Sequence, residues 1–264
     1  MSTNKSKQKD RYDNKPREES YWVEGIPMPH FYPNLYVFRK LLKDIRGKKI
    51  LDFGCGCGQF SYLLSSMGAD VTAIDLSEKN IEDLKKLAKN RQVDILAQVA
   101  SVDNCPFSDE SFDIIFGSAI LHHLDLDEER KACQEAFRLL KKGGRAIFIE
   151  PLQNAVWFKE LIQYVPVRDK YNPRPSRLSP EYEKYLLEHH HPDRPLTSRH
   201  FIEVFRQSGY DVKVKEMGIF NRLDRLTRNF FMRRLICSLD YYVLQYLVPF
   251  RKKFCRNIVI MATK

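Results

Sequence analysis

Gly54, Gly56 and Gly58 alternate with Cys55 and Cys57 in the stretch ILDFGCGCGQFS, directly after an apolar run. Asp75 closes the next apolar run, VTAID. Glycines between a strand and a helix permit positive φ and let a ligand lie close to the backbone. The helix behind them offers unpaired N–H groups to a carboxylate or phosphate. Spacing separates the possible ligands. A dinucleotide fingerprint counted from Gly54 would need its third glycine at Gln59, and no Lys-Ser or Lys-Thr follows for a phosphate loop. Asp75 stands about 20 residues on, where a carboxylate accepts both ribose hydroxyls and repels a 2′-phosphate. The pattern therefore asks for an adenosine-like ligand without a pyrophosphate.

A second group with chemistry is His122-His123, just after the apolar run FDIIFGS. One of the two would serve as a general base if the acceptor is protonated at neutral pH. The alternative is that the pair packs on the loop and positions the ligand. Glu150, after the run RAIFI, is a weaker candidate for orienting an acceptor. Cys55-x-Cys57 together with His122 and His123 would supply four zinc ligands. That reading conflicts with the loop's backbone role and with the usual two-to-four-residue cysteine spacing. No metal is expected. His189-His190-His191 reads as a solvated loop, and Tyr21, Trp22, His30, Phe31 and Tyr32 as either a lid or core packing.

The elements that must hold these residues alternate regularly. Strands are expected at 48–54, 70–75, 94–100, 112–118 and 145–150. Helices are expected at 59–67, from the N-cap Ser77 to about Asn90, and from about Asp127 to Leu140, ending at Gly143-Gly144. Continuous apolar strands separated by helices mean an α/β, doubly wound, largely parallel sheet covered on both faces. Ligands bind such sheets beyond the carboxyl ends of the strands. After Pro151 a proline-rich insertion runs to residue 196. A helix at 198–207, a strand at 211–217, a long amphipathic segment at 221–248 and a last strand at 256–263 follow. One domain, 21–264, is expected, with a core of 48–151 and 198–264 and a cap from 21–46, 152–196 and 220–250. Residues 1–20 read as a disordered basic arm.

ILDFGCGCG, VTAIDLS, CPFSDESFDIIFGSAILHHL and LLKKGGRAIFIEP resemble the successive motifs of class I S-adenosylmethionine-dependent methyltransferases. The resemblance covers residues 48–151 and implies a seven-stranded sheet with an antiparallel last strand. It implies S-adenosylmethionine as cofactor. Asp52, Gly54, Cys55, Gly56 and Gly58 would then line the methionine end, Asp75 would hold the ribose and Leu76 the adenine. Gly117 and Ser118 would sit beside the methionine moiety. The chain departs from the family at the end of the third strand, where Ser101 replaces the usual aspartate. The backbone of Val102, or Asp103 two residues on, would have to meet the adenine edge.

The 264 residues carry a net charge of +10. No run approaches the ~18 apolar residues of a spanning helix, so a cytoplasmic protein is expected, with its six cysteines as reduced thiols. Positive charge invites a polyanion, but no nucleic-acid recognition module and no interleaved basic and aromatic residues stand near the motifs. A small-molecule or lipid-like acceptor is therefore expected. RNA or protein methylation and a non-catalytic cofactor-binding module are the alternatives. Leu223, Leu226, Phe230, Phe231, Leu235, Ile236, Leu239, Val243 and Tyr246 recur at helical spacing beside basic residues between Arg222 and Arg256. Two readings stay open: a cover helix packing this stripe inward, or a peripheral contact with an anionic membrane through 222–256.

Overall fold

A computed structural model describes residues 4–14, 37–153, 164, 175–183, 196–219, 230–240, 243 and 245–264. In chain order the elements are α1 (Asn4–Asn14), β1 (Lys49–Phe53), α2 (Gln59–Ser66), β2 (Asp70–Asp75), α3 (Glu78–Arg91), β3 (Ile95–Val99), β4 (Phe112–Ser118) and α4 (Leu126–Leu139). They continue with β5 (Leu140–Pro151), α5 (Ser198–Gln207), β6 (Asp211–Met217), α6 (Phe230–Leu239) and β7 (Asn257–Thr263). The seven strands form one sheet in the order β3-β2-β1-β4-β5-β7-β6. All neighbours are parallel except β7, which runs antiparallel to both β5 and β6. The α/β, seven-stranded expectation holds.

The period-2 alternation of the apolar strands builds two core layers. Leu51, Phe53, Ile115 and Phe148 face one side, where Ala132 and Ala136 of α4 and Phe201 and Phe205 of α5 close over them. Ile50, Ile114, Phe116 and Ile147 face the other, against Leu64 of α2 and Val37, Leu42 and Ile45. Residues 37–45 were expected in the cap. The side chains of Val37, Leu42 and Ile45 are buried on the sheet instead, which makes them core.

Local signals set the helix ends. Ser77 Oγ accepts from Asn80 N at 3.1 Å and caps α3. Asp125 and Glu128 form a reciprocal capping box on α4. Thr197 caps α5 through His200 N. The Gly143-Gly144 pair, expected to follow a helix ending at Leu140, lies inside β5, which starts at residue 140. Gly143 N and Gly144 O bond to Lys264 at the end of β7, both at 3.1 Å, so the glycines belong to the ladder edge.

One further expectation changes. Within the arm expected to be disordered, residues 4–14 form α1, which packs on α3. Of the apolar stripe, for which an inward and a membrane-facing reading both stood open, Leu235, Leu239, Val243 and Tyr246 are 40–51% exposed. No helix among the described residues is long and apolar enough to cross a membrane. Tyr21, Trp22, His30, Phe31, Tyr32, His189, His190 and His191 lie outside the described residues, as do Leu223 and Leu226.

Candidate active site

β1, β2, β4 and β5 all run parallel, so their carboxyl ends share one edge, and the residues singled out above gather there. Gly54, Gly56 and Gly58 take φ of 79°, 54° and 87° between β1 and α2. Gly58 is the N-cap of α2 and supplies no capping side chain. A Cβ on Gly58 would lie 2.2 Å from Leu84 Cδ1, and one on Gly54 2.6 Å from Ile120 Cδ1. Packing alone therefore requires glycine at both positions. At Gly56 an added Cβ would meet no protein atom within 4 Å, so the middle of the loop faces open space.

Asp75 ties this loop to its neighbour. Its Oδ2 accepts from Gly56 N at 2.9 Å, while Oδ1 accepts from Ser77 N and Asn80 Nδ2, both at 2.9 Å. A carboxylate has roughly four acceptor positions, and these three bonds use most of them to join the glycine loop to the start of α3. Leu76 beside it is half-buried. Asp52 at the end of β1 is buried and accepts from Ser61 Oγ of α2 at 2.5 Å. Burial pushes its carboxyl up to about 7; the Ser61 hydroxyl opposes that shift and the nearby Asp75 charge adds to it. Burial likewise pushes the Cys55 thiol well above its ordinary value, followed by the charges of Asp52 and Asp75, so it stays a neutral thiol. Among the described residues no three His, Cys, Asp or Glu side chains converge as a metal site.

At the end of β3, Ser101 bridges to Asn104, and Val102 is buried in the core. Asp103 accepts from Ser101 Oγ at 2.5 Å and pairs with Lys5 of α1 at 2.5 Å. Burial works against its ionisation, but Lys5 and Ser101 hold the carboxyl below the usual range. At the end of β4, Gly117 packs so closely on Phe148 that a Cβ would fall 2.4 Å from its ring, and Ser118 follows half-buried.

His122 and His123 occupy the single helical turn after β4. Glu150, fully buried at the end of β5, organises this turn. Its Oε1 accepts from Ile120 N at 3.0 Å and Leu121 N at 2.9 Å. Its Oε2 accepts from His122 N at 3.3 Å and meets His122 Nδ1 at 2.8 Å. With Nδ1–H directed at Glu150, Nε2 is the basic nitrogen of His122. The two imidazoles lie 4.0 Å apart between centroids. His123 Nε2 meets Tyr12 Oη of α1 at 3.0 Å, and its carbonyl accepts from Gln8 Nε2. Asp13 of α1 accepts from Ser77 Oγ at 2.5 Å. Thus α1 spans the ends of β2, β3 and β4.

The sequence reading missed α1 and understated Glu150. Lys9 and Asp13 form an i,i+4 ion pair at 2.8 Å, a helix signal present in the sequence. Nothing local announces that Glu150 would meet a turn some 30 residues earlier.

Residues 51–148 match the family described as a methyltransferase domain. Over 104 residues the chain is 33% identical to a ubiquinone biosynthesis O-methyltransferase of Coxiella burnetii, covering 39% of this chain and 44% of that one. It is 36% identical over 112 residues to a demethylmenaquinone methyltransferase of Clavibacter sepedonicus, covering 42% and 44%. The chain thus spans under half the length of these relatives. A crystal structure of an S-adenosylmethionine-dependent methyltransferase from Mesorhizobium loti superposes with a TM-score of 0.57 at 20% identity, over 89% of this chain and 98% of that one. Residues 51–148 thus resemble a methyltransferase domain, and the sheet has the fold of S-adenosylmethionine-dependent methyltransferases. The cofactor of that class fits the residues present: an open glycine cradle, a ribose-type carboxylate and a helix N-terminus without a side-chain cap.

Proposed function

We propose that the protein transfers a methyl group from S-adenosylmethionine to a small-molecule or lipid-like acceptor bearing a weakly acidic hydroxyl. One juxtaposition carries this reading. The Gly54–Gly58 loop with Asp75 lies on the same sheet edge as the His122–Glu150 pair, on adjoining strands. The cofactor, when bound, supplies a methyl group already activated by its sulfonium. The chain's own work is then to align the acceptor, exclude water and remove a proton. In this reading Asp75 holds the ribose, Asp52 and the loop backbone hold the methionine end, and Leu76, Val102 and Ser101 border the adenine. Gly117 and Ser118 flank the methionine moiety.

His122 takes the acceptor's proton on Nε2, while Glu150 fixes the tautomer and steadies the imidazolium. His123, engaged by Tyr12, positions the turn. The name of the Coxiella burnetii relative, an O-methyltransferase of ubiquinone biosynthesis, supports a ring hydroxyl as the accepting atom. Free thiols at Cys55, Cys57, Cys105, Cys133 and Cys255 suit action in the reducing cytoplasm.

The test offers the purified full chain methyl-labelled S-adenosylmethionine and a series of hydroquinones and catechols with and without apolar tails. Label should appear on a ring oxygen. His122→Gln should lower the rate about 10²–10⁴-fold with cofactor affinity nearly unchanged. Failure to bind the cofactor sinks the reading, and binding without transfer to any acceptor would favour a non-catalytic module.

A further inference from the structure

β6 ends at Met217 and β7 begins at Asn257, and these two residues are ladder partners; Asn257 also pairs with Pro151 of β5. The excursion between β6 and β7 therefore leaves and rejoins the sheet at the same edge as Glu150. It is fastened there by Arg256 N donating to Gly218 O at 2.8 Å and Leu152 N donating to Arg256 O at 2.6 Å.

The described outer part of this excursion is apolar and exposed. Leu235, Leu239, Val243 and Tyr246 are 40–51% exposed, and exposure rises to 71% at Leu247 and 80% at Phe250. Lys252 and Lys253 stand beside them, also exposed. The Lys253 ammonium lies 5.7 Å from the Phe250 ring centroid, and with Tyr246 and Val248 these residues line an open depression. From Arg225 to Lys264 the sequence holds one acid, Asp240, against nine Lys and Arg. That acid is 1% exposed and turned inward, where Oδ2 accepts from Ile219 N at 3.0 Å.

A water-facing surface rarely keeps large apolar side chains grouped without a use. We propose that the face carrying Tyr246, Leu247, Phe250, Lys252 and Lys253 docks on an anionic lipid surface. Its bulky tips Leu247 and Phe250 enter the interface and Lys252 and Lys253 meet the headgroups. Charge selects lipid over a second copy of the chain, because a two-fold contact would oppose the same lysines across the interface.

Co-sedimentation of the full chain with vesicles decides the matter and needs neither cofactor nor acceptor, so it stands or falls apart from methyl transfer. The protein should pellet with phosphatidylglycerol–phosphatidylcholine vesicles at low salt, and much less at high salt or with phosphatidylcholine alone. Lys252→Glu with Lys253→Glu should lower partitioning about tenfold or more. Leu247→Ser with Phe250→Ser should weaken it at every salt concentration. These positions are exposed, so unchanged thermal melts are expected to accompany both losses. Three results would overturn the proposal: no pelleting at low salt, equal pelleting with neutral vesicles, or variants that bind like the parent. Concentration-dependent dimerisation abolished by Phe250→Ser, without vesicle binding, would assign the face to a second copy instead.

Discussion

The two halves of the sheet's carboxyl edge are built by different means. On the β1–β2 side the backbone does most of the work: glycine conformations, N–H groups and one carboxylate whose partners lie within 19 residues. On the β4–β5 side the work falls to side chains that meet across long stretches of chain. Glu150 reaches Ile120, Leu121 and His122 across 28–30 residues, and Tyr12 reaches His123 across 111. A backbone cradle suits a constant ligand, since few substitutions can reshape it. A side-chain assembly can be altered piecemeal, which suits the variable partner in a reaction. The cofactor half should therefore break sharply when its backbone is disturbed, and the acceptor half by degrees.

The largest expected effect tests the cradle itself. Gly58→Ala forces a Cβ to 2.2 Å from Leu84 Cδ1 at a φ of 87°. It should cost roughly 2–4 kcal/mol of stability by overpacking and strain, seen as a lower denaturant midpoint. Gly56→Ala, with open space around its Cβ, should cost about 1 kcal/mol or less in stability yet still weaken cofactor binding. Equal stability losses would mean that the loop is a turn and not a cradle.

Asp75→Ala comes next. Loss of charge-assisted bonds to the ribose should weaken S-adenosylmethionine binding by about 1–3 kcal/mol in calorimetry. Because Asp75 also holds Gly56 N, the loop should loosen as well. An unchanged affinity would remove Asp75 from the ribose role.

A smaller effect concerns protons. Asp52 keeps its proton to about pH 7 in the free protein. A cofactor ammonium beside it favours the ionised form, so binding below that value must release a proton. Affinity should therefore rise with pH up to about 7, by a factor approaching ten per unit, and level off above. Calorimetry in buffers of different ionisation enthalpy reads the proton directly, and Asp52→Asn should abolish its release. A flat affinity between pH 5.5 and 7.5 would place the ammonium elsewhere.

The contrast between the halves also explains what could be read from the sequence. The strands at 70–75, 112–118 and 211–217 and the helix at 198–207 match the reading to the residue, because alternation, caps and glycines are local signals. The Gly54–Gly58 loop and Asp75 were legible for the same reason. The turn-and-carboxylate unit around Glu150 was not, since its partners are adjacent only once the parallel β4–β5 pairing has formed. The amphipathic stripe was legible as a period, but a period cannot say which way a face turns. Residues 4–14 read as a polar tail because no apolar face announces a packing partner. Polar pairs hold both ends of the helix instead, Lys5 to Asp103 and Asp13 to Ser77.

The smallest expected effect bears on that helix. Tyr12 gives His123 one hydrogen bond and one edge-on ring contact at 5.7 Å. Tyr12→Phe removes the hydroxyl and keeps the ring, so it should cost about 0.5–1.5 kcal/mol of α1 docking, the net worth of one hydrogen bond. If α1 closes over the cofactor, that loss should appear as faster cofactor dissociation, by roughly 2- to 10-fold, with little change in association. Lys5→Ala, which severs the tie to Asp103, should act in the same direction from the opposite end of the helix. If α1 serves only to position the histidine turn, Tyr12→Phe should instead lower the transfer rate and leave cofactor dissociation unchanged. Stopped-flow measurement of cofactor release beside steady-state turnover separates the two, and it shows whether the N-terminal helix belongs to the cofactor half of the edge or to the acceptor half.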